Sequence, residues 1–196
     1  MRMERIGDKL AEHLLKAIEG SRSPSLANLI YALAMTRSEL NNPAIELVSE
    51  RFRAESVDDF QNKEKGLFFY VDAVGYAAEL TANKALVPYL KKLHANPFLN
   101  RRSLKRGIEP HFVLERLSLM ELILGRALAR CGSQDGYEVL IDYLDDMRAV
   151  LNEFAHSTLV KITIQDYGKD KEAWALWLRK RKNKLQPLVL KERPNA

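Results

Sequence analysis

The stretch ELILGRALARCGSQDGYEVLIDYL, residues 121–144, decides the fold, because it has the pattern of two apolar helices joined by a short polar turn. Apolar residues recur in it at spacings of three and four, as they do on the buried face of an α-helix. The turn Gly132–Ser133–Gln134–Asp135 interrupts this pattern, and serine in such a turn commonly caps the helix that follows. We therefore expect a helical hairpin here.

The same plan of helix, turn and helix occurs twice more along the chain. One copy is DAVGYAAELTANKALVPYLKKL, residues 72–93, and another is LANLIYALAMTRSELNNPAIELVSERF, residues 26–52. The copies at 72–93 and 121–144 both have a glycine in the first helix, Gly75 and Gly125, and their second helices match as LVPYL and LIDYL. Two-helix units that repeat about every 40–47 residues are typical of HEAT-type solenoids, in which each unit covers its apolar face with the next.

Helical spacing also marks the rest of the chain, and no segment shows convincing strand alternation. Further helices are predicted over the first twenty residues, 67–80, 112–131, 147–163 and 171–182. Those at 67–80 and 112–131 have so few polar residues that we expect each to be covered on several sides. Predicted N-terminal signals are Ser23 before Pro24, Asn42 before Pro43, Ser56 with Asp59, Asn83, and Pro110. The predicted fold class is therefore all-α, a right-handed α-α superhelix of about four helical hairpins plus an N-terminal helix.

The C-terminal segment LVKITIQDYGKDKEAWALWL, residues 159–178, has a polar turn followed by a helix with two tryptophans. Asp170 is the predicted N-cap of this helix, and Gly168 is predicted to hold a turn position with positive φ. Trp174 and Trp177, three residues apart, lie on one helical face. We expect that face to be a structural cap on the open end of the helical stack; the alternative is an aromatic platform for a ligand.

These features resemble bacterial HEAT-like repeat proteins, the group whose motif also appears in phycobilisome-lyase-type repeats. The resemblance covers about residues 23–182, although Ile164 stands where the closing unit of such arrays usually has glycine. It implies one HEAT-like α-solenoid domain over residues 1–182, with a long basic loop between repeats at 94–111 and a basic tail at 183–196. HEAT-like arrays serve as scaffolds, enzymes and accessory modules alike, so the resemblance alone does not define a function.

The positive charge of the chain is concentrated at its C-terminus. The 196 residues carry a formal net charge of +5, with 31 Lys and Arg against 26 Asp and Glu. Residues 179–196 contribute +6, which leaves residues 1–178 at −1. Because a nucleic-acid-binding array is expected to present a basic patch or stripe on its folded body, this neutral body disfavours that class.

Motifs and composition also disfavour membrane, secreted and catalytic classes. No apolar run approaches the ~20 residues of a membrane span, and the N-terminus lacks a signal-peptide pattern, so we expect a cytoplasmic protein. The single cysteine, Cys131, excludes an internal disulfide and a multi-cysteine zinc site. His13, His94, His111 and His156 have no metal-binding spacing, and nucleophile and phosphate-binding motifs are missing. We therefore predict no catalytic, metal-binding or cofactor-binding residues.

The most distinctive loop is HANPFLNRRSLKRGIEPH, residues 94–111. It is longer than the other turns, and long loops in compact domains are often functional. It has four basic residues within six positions and an aromatic ring close by: Phe98, Arg101, Arg102, Lys105 and Arg106. This cluster is a candidate site for an anion or an acidic partner surface. The alternative is a solvated loop that crosses between two units.

Three functions remain open at the level of sequence. The favoured one is a non-catalytic protein–protein interaction scaffold, free-standing or the helical accessory module of a larger protein, binding along the groove of successive second helices. The second is a nucleic-acid-binding HEAT-like protein, similar to the DNA glycosylases built of such repeats. The third, a tetrapyrrole lyase or chaperone, follows from the resemblance alone. A homodimer joined end to end at the N-terminal unit is a further expectation.

Overall fold

The computed structural model describes residues 2–21, 25–107 and 111–189, and within these ranges every regular element is helical. The ten α-helices are α1 (Arg2–Gly20), α2 (Leu26–Met35), α3 (Asn41–Arg51), α4 (Asp58–Gln61), α5 (Leu67–Thr81), α6 (Val87–His94), α7 (Phe112–Arg130), α8 (Gln134–Asp142), α9 (Ala149–Thr163) and α10 (Lys171–Arg181). Short 3-10 turns precede α6 and follow α8 and α10. The all-α prediction is confirmed for these residues. None of the described helices has both the length and the apolarity needed to cross a membrane.

Side-chain caps explain where several helices begin. The Asn83 side chain accepts a hydrogen bond from the backbone N–H of Ala85 at 2.9 Å, just before α6. Ser56 and Asp59 exchange two hydrogen bonds of 3.3 Å, the reciprocal arrangement of a capping box, at the start of α4. Both caps were predicted from sequence, because the pairing residues lie within three positions of each other.

The predicted cap at Asn42 is wrong. Helix α3 begins one residue earlier, at Asn41, and no side chain caps it. The buried amide of Asn41 donates instead to the carbonyl groups of Ser38, at 2.7 Å, and Leu33, at 3.3 Å, and so ties the turn to the end of α2. The signals predicted at 23–24 and 110 lie outside the described residues.

The contacts between helices follow a regular order. Helices α1, α2, α5, α7 and α9 each pack against the next member of that series, while α3 packs against α6 and α8 packs against α10. Contacts of α7 with α8 and of α3 with α5 join the two sets. The first helix of each predicted hairpin therefore lies beside the first helix of the next.

Two apolar clusters fill the space between the helices, and α7 contributes to both. Leu117 and Leu124 belong to the larger cluster, which α7 forms with α1 to α6. Leu122 and Ala129 belong to the smaller one, which α7 forms with α8, α9 and α10. Helix α7 is therefore covered on several sides, as its apolar sequence predicts.

Glycines allow the closest helix contacts. A Cβ atom at Gly136 would come within 2.2 Å of the nearest backbone nitrogen of α7, so α8 crosses α7 with no room for a side chain. A Cβ at Gly125 would lie 2.7 Å from the Val139 side chain, and one at Gly75 would lie 2.5 Å from the Ile123 side chain. The two glycines aligned in the sequence repeat thus both lie at close contacts, but Gly125 faces its own hairpin and Gly75 faces the next.

Cys131 directly follows α7 and is fully buried as a free thiol. Burial, together with the nearby charge of Glu79, raises the pKa of this thiol to about 12. Cys131 therefore stays protonated at neutral pH, and the thiolate needed for nucleophilic chemistry does not form.

Candidate functional site

The basic loop lies tightly against α7, and a buried carboxylate holds its first half in place. The backbone N–H groups of Arg101 and Arg102 both donate to the carboxylate of Glu121, each at 2.7 Å. The Tyr143 hydroxyl donates to the same carboxylate at 2.7 Å, and a ring nitrogen of His94 lies 3.2 Å from it. Burying a carboxylate is costly unless hydrogen bonds replace its water. The hydrogen bonds from the loop therefore stabilise the buried carboxylate of Glu121, and the same carboxylate holds the loop against α7.

A second buried carboxylate holds the other half of the loop. Asp146 accepts a hydrogen bond from the Leu104 N–H at 2.8 Å, and the Met147 N–H donates to the Leu104 carbonyl at 2.9 Å. Arg148 forms an ion pair with Asp146 at 2.6 Å and donates to the carbonyl of Arg102 at 2.8 Å. The described part of the loop is thus anchored at Arg101, Arg102 and Leu104.

The predicted binding side chains of the loop do not converge on one site. The Arg102 guanidinium donates to the backbone carbonyl groups of Pro97 and Phe98, the second at 3.1 Å. The Phe98 side chain is half-buried and packs against the larger cluster. Arg101 and Arg106 are exposed, and within the described ranges neither side chain has a hydrogen bond or ion pair. These two remain available to an anion.

Lys105 is part of an ion-pair network between the loop and α10. Its ammonium group lies 3.2 Å from the carboxylate of Asp142 and also binds Asp145, while Lys171 binds the same two carboxylates at 3.2 and 2.9 Å. Burial alone would raise the pKa of both aspartates, but hydrogen bonds and charges outweigh it and lower the pKa overall. For Asp142 these come from Ser103 and then from the two lysines, and for Asp145 from the two lysines. The charge of Lys105 is therefore balanced within the chain.

We expect the anchor at Asp146 to weaken in acid. Burial alone would raise the pKa of Asp146, but hydrogen bonds from Arg148 and the Leu104 N–H outweigh this and hold the pKa below its ordinary value. A carboxyl group with a lowered folded-state pKa stabilises the fold above its unfolded-state pKa, and this contribution is lost as the pH falls through the folded-state pKa.

The Asp146→Asn variant should therefore be less stable than the wild type at neutral pH, by about 1.5–3 kcal/mol for a charged hydrogen-bonded group. The difference in free energy of unfolding should shrink once the pH falls below ~3.9, where the unfolded aspartate is protonated. Urea unfolding of both proteins across this pH range measures the difference in free energy of unfolding. A difference that stays constant down to the lowest pH would contradict the anchoring role.

An exposed apolar surface, which was not predicted from the sequence, lies where α5, α7 and α9 begin. Phe69 is 58% exposed, Phe112 is 75% exposed and Val150 is 80% exposed. They line two adjoining pockets of about 450 and 580 Å³, which share Phe112 and Arg116. We call these pockets together the apolar groove, lined chiefly by Phe68, Phe69, Phe112, Arg116, Leu119 and Val150.

One signal in the sequence points to this groove. Consecutive residues of a helix project about 100° apart, so the neighbouring aromatic residues Phe68 and Phe69 face different directions, and only a helix that is covered on several sides buries both. Phe68 is buried and Phe69 is exposed. The scarcity of polar residues predicts that the segment 67–80 is covered on several sides, but it does not show which helix ends a neighbour leaves uncovered.

The C-terminal tryptophans are core side chains. Trp174 is fully buried, and its indole N–H donates to the carbonyl of Gly168 at 2.9 Å. Gly168 has φ 55°, and the Asp170 side chain accepts a backbone N–H of α10 at 3.0 Å. Trp177 packs against Tyr137, with ring centroids 5.5 Å apart. The face is therefore covered by α8 and by its own turn, and Trp174 presents no open ring to a ligand.

Within the residues that the structure describes, no three or more His, Cys, Asp or Glu side chains are grouped so that they could hold a metal ion. The histidines with acidic neighbours form pairs, His94 with Glu121 and His156 with Asp166 at 2.9 Å and, more distantly, with Glu153. Comparisons with models of protein families, with curated proteins and with solved structures found no match to this chain.

Proposed function

We propose that this chain is a protein-binding helical module, a non-catalytic scaffold or accessory unit, and that its binding surface is the apolar groove. The supporting observation is that Phe69, Phe112 and Val150, each more than half exposed, line adjoining pockets. Exposed apolar side chains scattered singly are ordinary, whereas a contiguous patch marks an interaction surface or a ligand groove. Burying that patch in a complex would remove apolar area from water and so favour association.

The architecture that we propose is a HEAT-like α-solenoid with α1 followed by the hairpins α2–α3, α5–α6, α7–α8 and α9–α10. The packing order of the first helices supports it. In such an array the starts of successive first helices form one edge, and the apolar groove lies on that edge. The proposed surface therefore differs from the groove of second helices that the sequence favoured.

The basic loop gives little support to the alternative of nucleic-acid binding. Phosphate contacts need several cations along one track. Lys105 is paired with aspartates, and Arg102 is bound to backbone carbonyl groups. The tetrapyrrole alternative has no supporting observation in the described residues.

A capture experiment with matched surface variants tests the proposed function. The groove variant carries Phe112→Ser and Val150→Ser, and the control carries Met35→Ser and Ile164→Ser, at apolar positions that are 67% and 80% exposed outside the groove. Immobilised proteins are incubated with nuclease-treated extract of the native source, and bound proteins are quantified by mass spectrometry.

We expect a defined set of proteins that binds the wild type and the control equally. The groove variant should retain about tenfold less of this set, since loss of central apolar anchors typically costs 2 kcal/mol or more. Identical sets on wild type and groove variant would contradict the proposal. Proteins that are captured from an untreated extract but not from the nuclease-treated one would instead support nucleic-acid binding.

A further inference from the structure

We infer that the apolar groove binds an acidic segment of a partner protein, in which a carboxylate is flanked on both sides by large apolar side chains. This inference rests on the proposed function and names the chemistry of the partner. The carboxylate would pair with Arg116, and one apolar side chain would enter each of the two pockets. The position, partners and electrostatic surroundings of Arg116 support it.

Arg116 lies between the two pockets and contributes to both. Its guanidinium carbon is 4.1 Å from the ring centroid of Phe68 and 5.4 Å from that of Phe69, so the aromatic rings hold the cation at the wall of the groove. A planar guanidinium held in this way can donate two parallel hydrogen bonds to a carboxylate.

Arg116 has no acidic partner of its own among the described residues, and in this it differs from Arg126, Arg130 and Arg148. Arg126 and Arg130 lie 2.8 and 3.1 Å from the buried carboxylate of Glu79, and Arg148 pairs with Asp146. A bound partner would displace water from the Arg116 guanidinium, and this is costly unless another polar group takes the place of that water. A carboxylate on the partner would do so. The missing acid of Arg116 is therefore expected on the partner.

The surroundings of the groove are also electropositive. Among the described residues, its charged lining consists of Lys63 and Arg116 against Glu115, together with Arg148, whose charge is paired with Asp146. Helices α5, α7 and α9 all begin here, and the start of a helix carries partial positive charge. No side-chain hydrogen bond caps any of these three described starts, and Glu115 is the one acid in their first turns. A partner segment with negative charge is complementary to this field, which speeds its association and excludes basic segments.

The apolar lining favours a peptide over a nucleic acid. Single-stranded nucleic acid needs a continuous basic track for its phosphates as well as aromatic faces for its bases. The groove has one unpaired arginine between two apolar pockets, a pattern that matches apolar, acidic and apolar side chains in succession. On a helical partner, anchors spaced three or four residues apart would present such a face.

Selection of peptides on the intact chain tests the inference. A phage-displayed library of random peptides is panned on immobilised wild-type protein, and a fluorescein-labelled synthetic copy of an enriched peptide is titrated by anisotropy. We expect enriched sequences with Asp or Glu between two large apolar residues. Arg116→Glu should weaken binding of that peptide about 30-fold or more, as for a central anchor. Arg106→Glu, a charge reversal at an exposed cation of the basic loop, should leave it unchanged.

A charge swap separates loss of the contact from loss of the fold. A peptide with its acid replaced by lysine should bind Arg116→Glu more tightly than it binds the wild type, and an unfolded variant could not show this. Enriched peptides without an acid, or equal binding by wild type and Arg116→Glu, would overturn the inference. If those peptides still depend on Phe112 and Val150, the proposed function stands without its acidic partner.

Two other occupants of the groove, a second copy of the chain and a nucleic acid, would each give a different result. Concentration-dependent dimers in light scattering that disappear in the groove variant would show that a second copy fills the groove, which overturns the inference. Displacement of the labelled peptide by an oligothymidylate, with the steep salt dependence of phosphate contacts, would replace the peptide with nucleic acid.

Discussion

Replacing Gly136 with alanine is expected to destabilise the protein by about 3 kcal/mol, although it adds a single methyl group. A Cβ atom at this position would lie 2.2 Å from the backbone nitrogen of Ala129 and 2.4 Å from the carbonyl oxygen of Gly125. Both atoms belong to the main chain of α7, so no change of rotamer can relieve the clash. Helix α8 must move away from α7, and the core of the smaller apolar cluster loses its close packing.

Gly7→Ala is the matched control for Gly136→Ala. Gly7 lies within α1, and a Cβ atom there would meet no other atom within 4 Å. Alanine forms helix better than glycine by about 1 kcal/mol, so this variant should be as stable as the wild type or more stable. Urea unfolding followed by circular dichroism compares the three proteins. A loss below ~1 kcal/mol for Gly136→Ala would show that the two helices do not cross this closely.

The helices could be predicted from sequence because their signals are local. The period of apolar residues defines each helix, and caps such as Asn83 and Asp170 act on a backbone N–H two or three residues away. The close packing at Gly136 was not predicted from the sequence, since a glycine that follows a turn is explained equally well by the turn itself. Its importance comes from α7, which only the folded chain brings against it.

The candidate sites could be predicted only in part, for the same reason. The loop was found as a basic cluster, but Glu121 and Asp146, which fix it, lie 20 and 42 residues from the N–H groups of Arg101 and Leu104 that they bind. Burial of most of α7 was predicted correctly, whereas the exposure of Phe112 at its start depends on what neighbouring helices leave uncovered. The composition of a helix does not indicate which of its residues the neighbouring helices leave exposed.

The loop and the groove are connected through Arg148. This residue lines the groove and also donates to the carbonyl of Arg102 in the loop. Asp146 holds the guanidinium in place with hydrogen bonds of 2.8 and 2.6 Å. The loop thus helps to hold one lining residue of the groove in place. This gives the loop a structural role that does not require its basic side chains to bind a ligand.

Trp174→Ala is expected to destabilise the protein by about 3–5 kcal/mol, the range for removing a large aromatic side chain from a core. Trp174 is fully buried between Tyr167, at 4.9 Å between ring centroids, and Trp177, at 6.1 Å. The variant leaves a cavity beneath α10 and removes the indole partner of the Gly168 carbonyl. Because α10 packs against α8 through this face, we expect the C-terminal helix to open first.

Two further variants separate a structural cap from a ligand platform. Trp174→Phe keeps an aromatic ring and loses the indole hydrogen bond, so it should cost less than Trp174→Ala. Leu176→Ala, at a position 46% exposed on the same helix, should change stability by about 0.5 kcal/mol or less. Urea unfolding, read by tryptophan fluorescence, gives all three values, and Trp177 supplies the signal in both Trp174 variants. If Trp174→Ala left the stability unchanged and the capture experiment then lost its bound proteins, Trp174 would be the anchor of a binding site, and the structural role would be wrong.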